Sequence, residues 1–233
     1  DCSGIEAPIQ ALRQLEIPYD HVFSSDIDKY AVQSIKANYH PTTIFGDITI
    51  RDMDEVGDID LYIAGFPCQP FSTAGVRKGF DDKKGNVFWS CLDVIKKKKP
   101  KWFILENVKG LLCHDKQKKS DKYGRTWTTI WDSLELLRKD GYTVKWKLLN
   151  TKNYGIPQSR ERIFMVGKLN GDFEWPPESP MDDLIDYVDH SNTTRKEWGR
   201  RNTLDNVRPD AVFIDIEFLH YTNYPNSHKV SPC

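Results

Sequence analysis

The sequence predicts an α/β fold: a mostly parallel sheet with helices on both faces, followed by a smaller and irregular region. Three observations predict it. Short apolar runs alternate along the chain with stretches of helical periodicity, and strands separated by helices need crossovers, which make neighbours parallel. A chain of 233 residues can bury one good-sized core. From about Leu169 onward the pattern stops, because W-P-P-E-S-P breaks regular structure and acidic residues cluster between Glu178 and Asp189.

The elements follow in order. Ile9, Leu12 and Leu15 recur at helical spacing, with Pro8 tolerable in a first turn and Pro18 ending the segment. H-V-F-S is a strand leading to Asp26, after which Ile27, Ala31 and Ile35 predict a second helix, stopped by the N-Y-H-P of Asn38 to Pro41. D-L-Y-I-A-G-F (Asp60 to Phe66) is a buried strand, Val87 to Ile95 a helix, and W-F-I-L-E-N (Trp102 to Asn107) another strand. Trp127, Ile130, Trp131, Leu134 and Leu137 mark a long helix, and strand-like runs follow at Tyr142 to Leu149 and Arg162 to Val166. The expected division is a domain of residues 1–168 and a second region of residues 169–233.

Composition excludes several classes. With 33 Lys+Arg against 34 Asp+Glu the net charge is -1, so the chain is no globally basic glove for nucleic acid, although a local basic face is compatible with it. No apolar run approaches the roughly 20 residues of a membrane span, and no charged-then-apolar leader opens the sequence. An intracellular protein, cytoplasmic or nuclear according to host, is expected. The five cysteines, Cys2, Cys68, Cys91, Cys113 and Cys233, are widely spaced without any C-x-x-C. Reduced thiols are therefore expected, with neither a disulfide framework nor a metal site.

Open parallel sheets bind ligands beyond the carboxyl ends of their strands. Cys68 follows one predicted strand, Glu106 and Asn107 end another, and Asp26 follows a third, so polar groups converge on one rim. Cys68 lies in G-F-P-C-Q-P-F-S-T-A-G between Pro67 and Pro70. Prolines limit backbone freedom, which is costly for mere packing and useful for aiming a sulfur. Cys2, Cys91 and Cys113 are read as inert packing residues.

Three stretches resemble the signatures of S-adenosylmethionine-dependent cytosine-C5 DNA methyltransferases, in that family's order: G-F-P-C-Q-P-F-S, E-N-V (Glu106 to Val108) and Q-S-R-E-R (Gln158 to Arg162). The likeness covers roughly Asp1 to Gly167 and implies a Rossmann-like catalytic domain followed by part of a target-recognition region. It implies that Cys68 attacks C6 of a flipped-out cytosine, that Glu106 acts at N3, and that Arg162 donates to O2. Arg160 either shares that task or holds a neighbouring loop. Gln69 and Asn107 orient these groups, Gln158 lies on the substrate side, and Ser72 binds phosphate or caps a turn.

The same resemblance implies the cofactor residues. D-C-S-G-I-E-A-P stands at the methionine end, contributing Ser3, Gly4 and Ile5, with Glu6, Ala7 and Pro8 where the family has glycines. Asp26 accepts the ribose hydroxyls beside Ile27, and Asp47 and Ile48 face the adenine, the alternative for Asp47 being a simple Asx turn. Gly65 and Pro67 line the site, and Val87 stands at the leucine of an R-G-x-L-F pattern.

The expected partner is double-stranded DNA, with RNA or a catalytically silent accessory role as alternatives. Gly75 to Gly85 is expected to form a lid, and the basic runs at Lys96 to Lys99, Asp115 to Lys122 and Arg195 to Arg201 are either phosphate contacts or solvated surface. Restriction-modification, viral and epigenetic roles share such a site. The first strand is expected to begin before Asp1 and the recognition region to continue past Cys233, so that missing segments or a second polypeptide would complete the enzyme.

Overall fold

The computed structural model of the protein describes residues 1–67 and 87–179. Contact clustering divides the chain into two units: Asp1–Leu148 with Arg162–Trp175, and Leu149–Glu161 with the stretch from Pro176 onward.

In the first unit, helix α1 (Ala7–Gln14) starts with Pro8 in its first turn, where its missing N–H is no loss. Strand β1 (Phe23–Ser25) leads to helix α2 (Lys29–Asn38), capped by Asp28, whose carboxylate accepts from the Tyr30 and Ala31 amides at 2.6 and 3.2 Å. Strand β2 (Thr43–Phe45) pairs parallel with β1. The sequence reading did not include β2: three residues are too few to show an alternation.

Strand β3 (Leu61–Ala64), helix α3 (Val87–Lys98), strand β4 (Trp102–Val108), helix α4 (Arg125–Glu135), strand β5 (Tyr142–Asn150) and strand β6 (Glu161–Leu169) follow. They build a four-stranded sheet in the order β3-β4-β6-β5, with β3 parallel and β6 antiparallel to β4. The sheet is thus mostly parallel in the crossover-linked part of the chain. Between β5 and β6 there is only a short 3-10 turn, Thr151–Asn153, and no crossover helix.

Residues at the start of the chain join the two sheets. The Asp1 nitrogen donates to the Ile63 carbonyl at 2.8 Å, and the Ser3 amide to the Ser25 carbonyl at 2.9 Å. Asp1 to Ser3 therefore runs between β1 and β3, as a central strand would.

The core follows from the helical periodicity. Phe88, Cys91, Leu92 and Ile95 on α3 and Trp127, Ile130 and Leu134 on α4 are buried with Phe103, Leu105, Ile163 and Met165 of β4 and β6. Trp127 sits 4.8 Å from the Trp146 ring centroid, 6.0 Å from that of Trp131, stacked at 9°, and 6.2 Å from that of Tyr123. Gly167 faces Phe103 across β4 and β6, and a Cβ built there would lie 2.0 Å from the Phe103 ring. Burial pushes the Cys91 thiol up to about 12, consistent with an inert packing residue. Cys2 and Cys91 are free. Among the described residues no helix is long and apolar enough to cross a membrane.

Candidate active site

The end of β4 carries the acid. Arg162 lies opposite Val108 in the antiparallel register, so it is a diagonal neighbour of Glu106 on the same face. Its Nε donates to Glu106 Oε1 at 2.9 Å, and both side chains are partly exposed. Gly65, just past β3, runs beside that carboxylate: a Cβ at Gly65 would come within 3.6 Å of Glu106 Oε2. Asn107 points the other way. It is 3% exposed, its Nδ2 donates to the Phe66 carbonyl at 2.8 Å, and its Oδ1 accepts from the Val108 amide at 2.8 Å. One buried amide thus fixes the backbone that leads into the cysteine loop. Pro67 is exposed at the edge of that loop. Cys68, Gln69 and Ser72 lie outside the described residues.

The end of β1 carries a second acid. Asp26 accepts from the Gly4 amide at 2.8 Å through Oδ2 and from the Asp28 amide at 2.9 Å through Oδ1. Each oxygen keeps a further lone pair for a ligand. Ile27 beside it is 80% exposed and Ile5 is 59% exposed, while Gly4 and Gly46 have open space where a Cβ would stand. A carboxylate next to exposed apolar groups and uncrowded backbone suits a nucleoside, with hydroxyls for the acid and a ring for the isoleucines. The set of residues fits S-adenosylmethionine. Ser3 and Ser25 stitch this loop, since Ser3 Oγ accepts from the Ser25 amide at 3.1 Å and Ser25 Oγ donates to the Gly46 carbonyl at 2.8 Å.

Other positions are less direct. Asp47 Oδ1 accepts from the Thr49 amide at 2.8 Å and its hydroxyl at 2.7 Å, which is the Asx-turn alternative, and the residue remains exposed. Ile48 is only 8% exposed and belongs to the main core. Val87 is half-buried at the start of α3. Gln158 and Arg160 belong to the second unit, where the Arg160 amide donates to Asn150 Oδ1 and Thr151 Oγ1 at 3.2 Å and Thr151 Oγ1 donates to the Gln158 carbonyl.

The sequence reading passed over a set of buried polar residues beneath the Ser3–Gly4 loop. Glu6 adopts φ 60°, the left-handed conformation that glycine would take there, and turns its carboxylate inward to within 3.7 Å of His21 Nε2. Burial lowers the His21 pKa while Glu6 opposes the shift. Cys2 also has a positive φ of 53°. Such backbone costs on the order of 1–3 kcal/mol per residue and persists only where its surroundings over-determine it. Asp1 accepts from Arg51 Nη1 and Nη2 at 2.7 and 2.9 Å and from the Tyr62 hydroxyl at 2.6 Å. Only Glu6 had a local signal, as a departure from the glycines of the resembling family.

The family described as C-5 cytosine-specific DNA methylase matches residues 2–220. The type II methyltransferase M.NgoBV of Neisseria gonorrhoeae is 42% identical over 181 residues, which are 76% of this chain and 42% of that protein. The type II methyltransferase M.BsuFI of Bacillus subtilis is 44% identical over 221 residues, 90% of this chain and 51% of the relative. Among solved structures, the S. pombe Dnmt2 methyltransferase superposes with a TM-score of 0.57 at 26% identity, covering 85% of this chain and 56% of that one. The chain spans about half the length of the curated relatives it matches.

Proposed function

This chain belongs to the C-5 cytosine-specific DNA methylase family, and on that premise we propose that it carries the catalytic centre of a DNA cytosine-5 methyltransferase working inside the cell. The observation that carries the reading is the Glu106–Arg162 pair, 2.9 Å apart at the carboxyl edge of β4, with the backbone leading to Cys68 passing alongside at Gly65.

Cytosine C5 is a weak nucleophile within its aromatic ring. When the Cys68 thiolate forms a bond to C6, the C5–C6 π pair moves to C4–C5, the C4–N3 π pair moves onto N3, and the carboxylic acid of Glu106 supplies the proton that N3 takes up, leaving an enamine nucleophilic at C5. Arg162 donates to O2 and stabilises the same electron-rich ring from the other side. S-adenosylmethionine, when bound, supplies the electrophilic methyl group for the activated C5. Loss of the C5 proton to a base then lets the sulfur leave C6, restoring the double bond as the N3 proton returns to Glu106. Arg162 also orients the acid, since a guanidinium 2.9 Å away holds one carboxylate oxygen and leaves the other toward Gly65. The cytosine reaches this edge only if flipped from the duplex.

The test is transfer of labelled methyl groups from S-adenosylmethionine to DNA and to RNA, with sequencing of the modified sites. Label at C5 of cytosine in DNA is the expected result; label confined to RNA, or none with a protein that binds both cofactor and DNA, would overturn it. Asp26 is read as the ribose acceptor. Asp26→Ala should weaken S-adenosylmethionine binding by about 1.5 to 3 kcal/mol, the range for a hydrogen bond to a charged group. Unchanged affinity in calorimetry would move the ribose elsewhere.

A further inference from the structure

Arg51 and Asp1 form a closed ion pair whose side chains are 2% and 0% exposed. The contact is bidentate, at 2.7 and 2.9 Å, and the guanidinium carbon lies 5.0 Å from the ring centroids of both Phe23 and Phe45. Arg51 Nε has no hydrogen-bond partner among the described residues. The charge therefore depends on Asp1. Tyr62 adds a hydrogen bond to Asp1 Oδ2 at 2.6 Å, and burial holds its phenol well above the ordinary pKa, so it stays a donor.

A buried ion pair is a poor device for stability alone, because apolar residues of similar volume commonly serve as well or better. What it supplies is a fixed geometry between its two ends. Arg51 stands one residue, Ile50, beyond the Gly46 to Thr49 loop, and Asp1 one residue, Cys2, before the Ser3–Gly4 loop. Cys2 and Glu6, on either side of that second loop, hold positive φ angles of 53° and 60° without being glycine, so the loop needs an external anchor. A displacement of Asp1 passes along the chain to the Gly4 amide, which donates to Asp26 at 2.8 Å.

We propose that Arg51 is a positioning residue: with Tyr62 it clamps Asp1, ties the two loops together and presets the bed in which the nucleoside of S-adenosylmethionine lies. The inference rests on the reading that these loops hold that cofactor. Arg51 acts through Asp1 and Gly4 and touches no ligand.

The experiment compares wild type, Tyr62→Phe, Arg51→Lys and a control, Leu134→Ala, at a temperature where all four are folded. Two quantities are read: S-adenosylmethionine affinity by calorimetry, and hydrogen exchange of the Gly4 and Thr49 amides without cofactor. Tyr62→Phe and Arg51→Lys should bind about tenfold more weakly, the scale on which residues supporting a ligand's direct contacts act, and should exchange both amides faster. Leu134→Ala removes a buried side chain of α4 and should lower stability without changing either quantity. Wild-type affinity in the Arg51 and Tyr62 variants, or an equal loss in Leu134→Ala, would overturn the proposal. If wild type binds no cofactor, the methyltransferase reading fails, and amide exchange alone then decides whether the clamp couples the loops.

Discussion

Cys68→Ser is expected to abolish methyl transfer, with a loss on the order of the 10⁶-fold seen when a covalent nucleophile is removed elsewhere. A serine hydroxyl is far less ionised and less nucleophilic than a thiol with a pKa of about 8.5, so addition at C6 by the variant should be far slower. The measurement is labelled methyl incorporation into DNA, in a form of the protein that transfers methyl groups. A second readout separates loss of chemistry from loss of fold: wild type should be trapped covalently on 5-fluorocytosine DNA, because fluorine at C5 blocks the final elimination, and the serine variant should not. Normal turnover by the variant, or a wild type that never traps, would remove Cys68 from the reaction.

Trp127→Ala should destabilise the protein by about 3–5 kcal/mol, the range for deleting a large aromatic from a packed interior. Trp127 is 1% exposed, and three aromatic neighbours, Tyr123, Trp131 and Trp146, surround it with ring centroids at 4.8 to 6.2 Å. The three remaining rings cannot collapse into the space that the fourth leaves. Urea unfolding followed by tryptophan-independent circular dichroism should show a lower midpoint at similar slope. A change below about 1 kcal/mol would mean that Trp131 and Trp146 relax into the gap, against the geometry described.

Sequence pattern made much of this architecture legible, for identifiable physical reasons. β3, β4, β5 and β6 were visible as apolar runs of four or more residues, and α3 and α4 as stripes at helical spacing. β2 was hidden by its length. The antiparallel direction of β6 was hidden too, since strand patterns carry no sign of direction and only the missing helix between β5 and β6 hints at it. In the candidate site, the placement of Asp26, Glu106, Asn107 and Arg162 at strand ends was legible because apolar runs and short motifs mark those positions. The Asp1–Arg51 contact was not, because it joins residues fifty apart in sequence with no local pattern between them. The inward turn of Glu6 reads as an odd residue where glycine is usual, and its purpose emerges only beside His21.

The contact between Gly167 and Phe103 has a consequence for redesign. Because a Cβ at 167 would fall 2.0 Å from the Phe103 ring, the two positions form a single choice for an engineer: enlarging position 167 requires shrinking position 103. They face each other across the β4–β6 seam, further along the same strands that carry Glu106 and Arg162. A library that varied position 167 alone would return glycine almost exclusively, whereas one that varied both could exchange bulk from β4 to β6 and alter the tilt of the two strands. That seam is therefore a place to adjust the spacing of the Glu106 carboxylate and the Arg162 guanidinium without editing either.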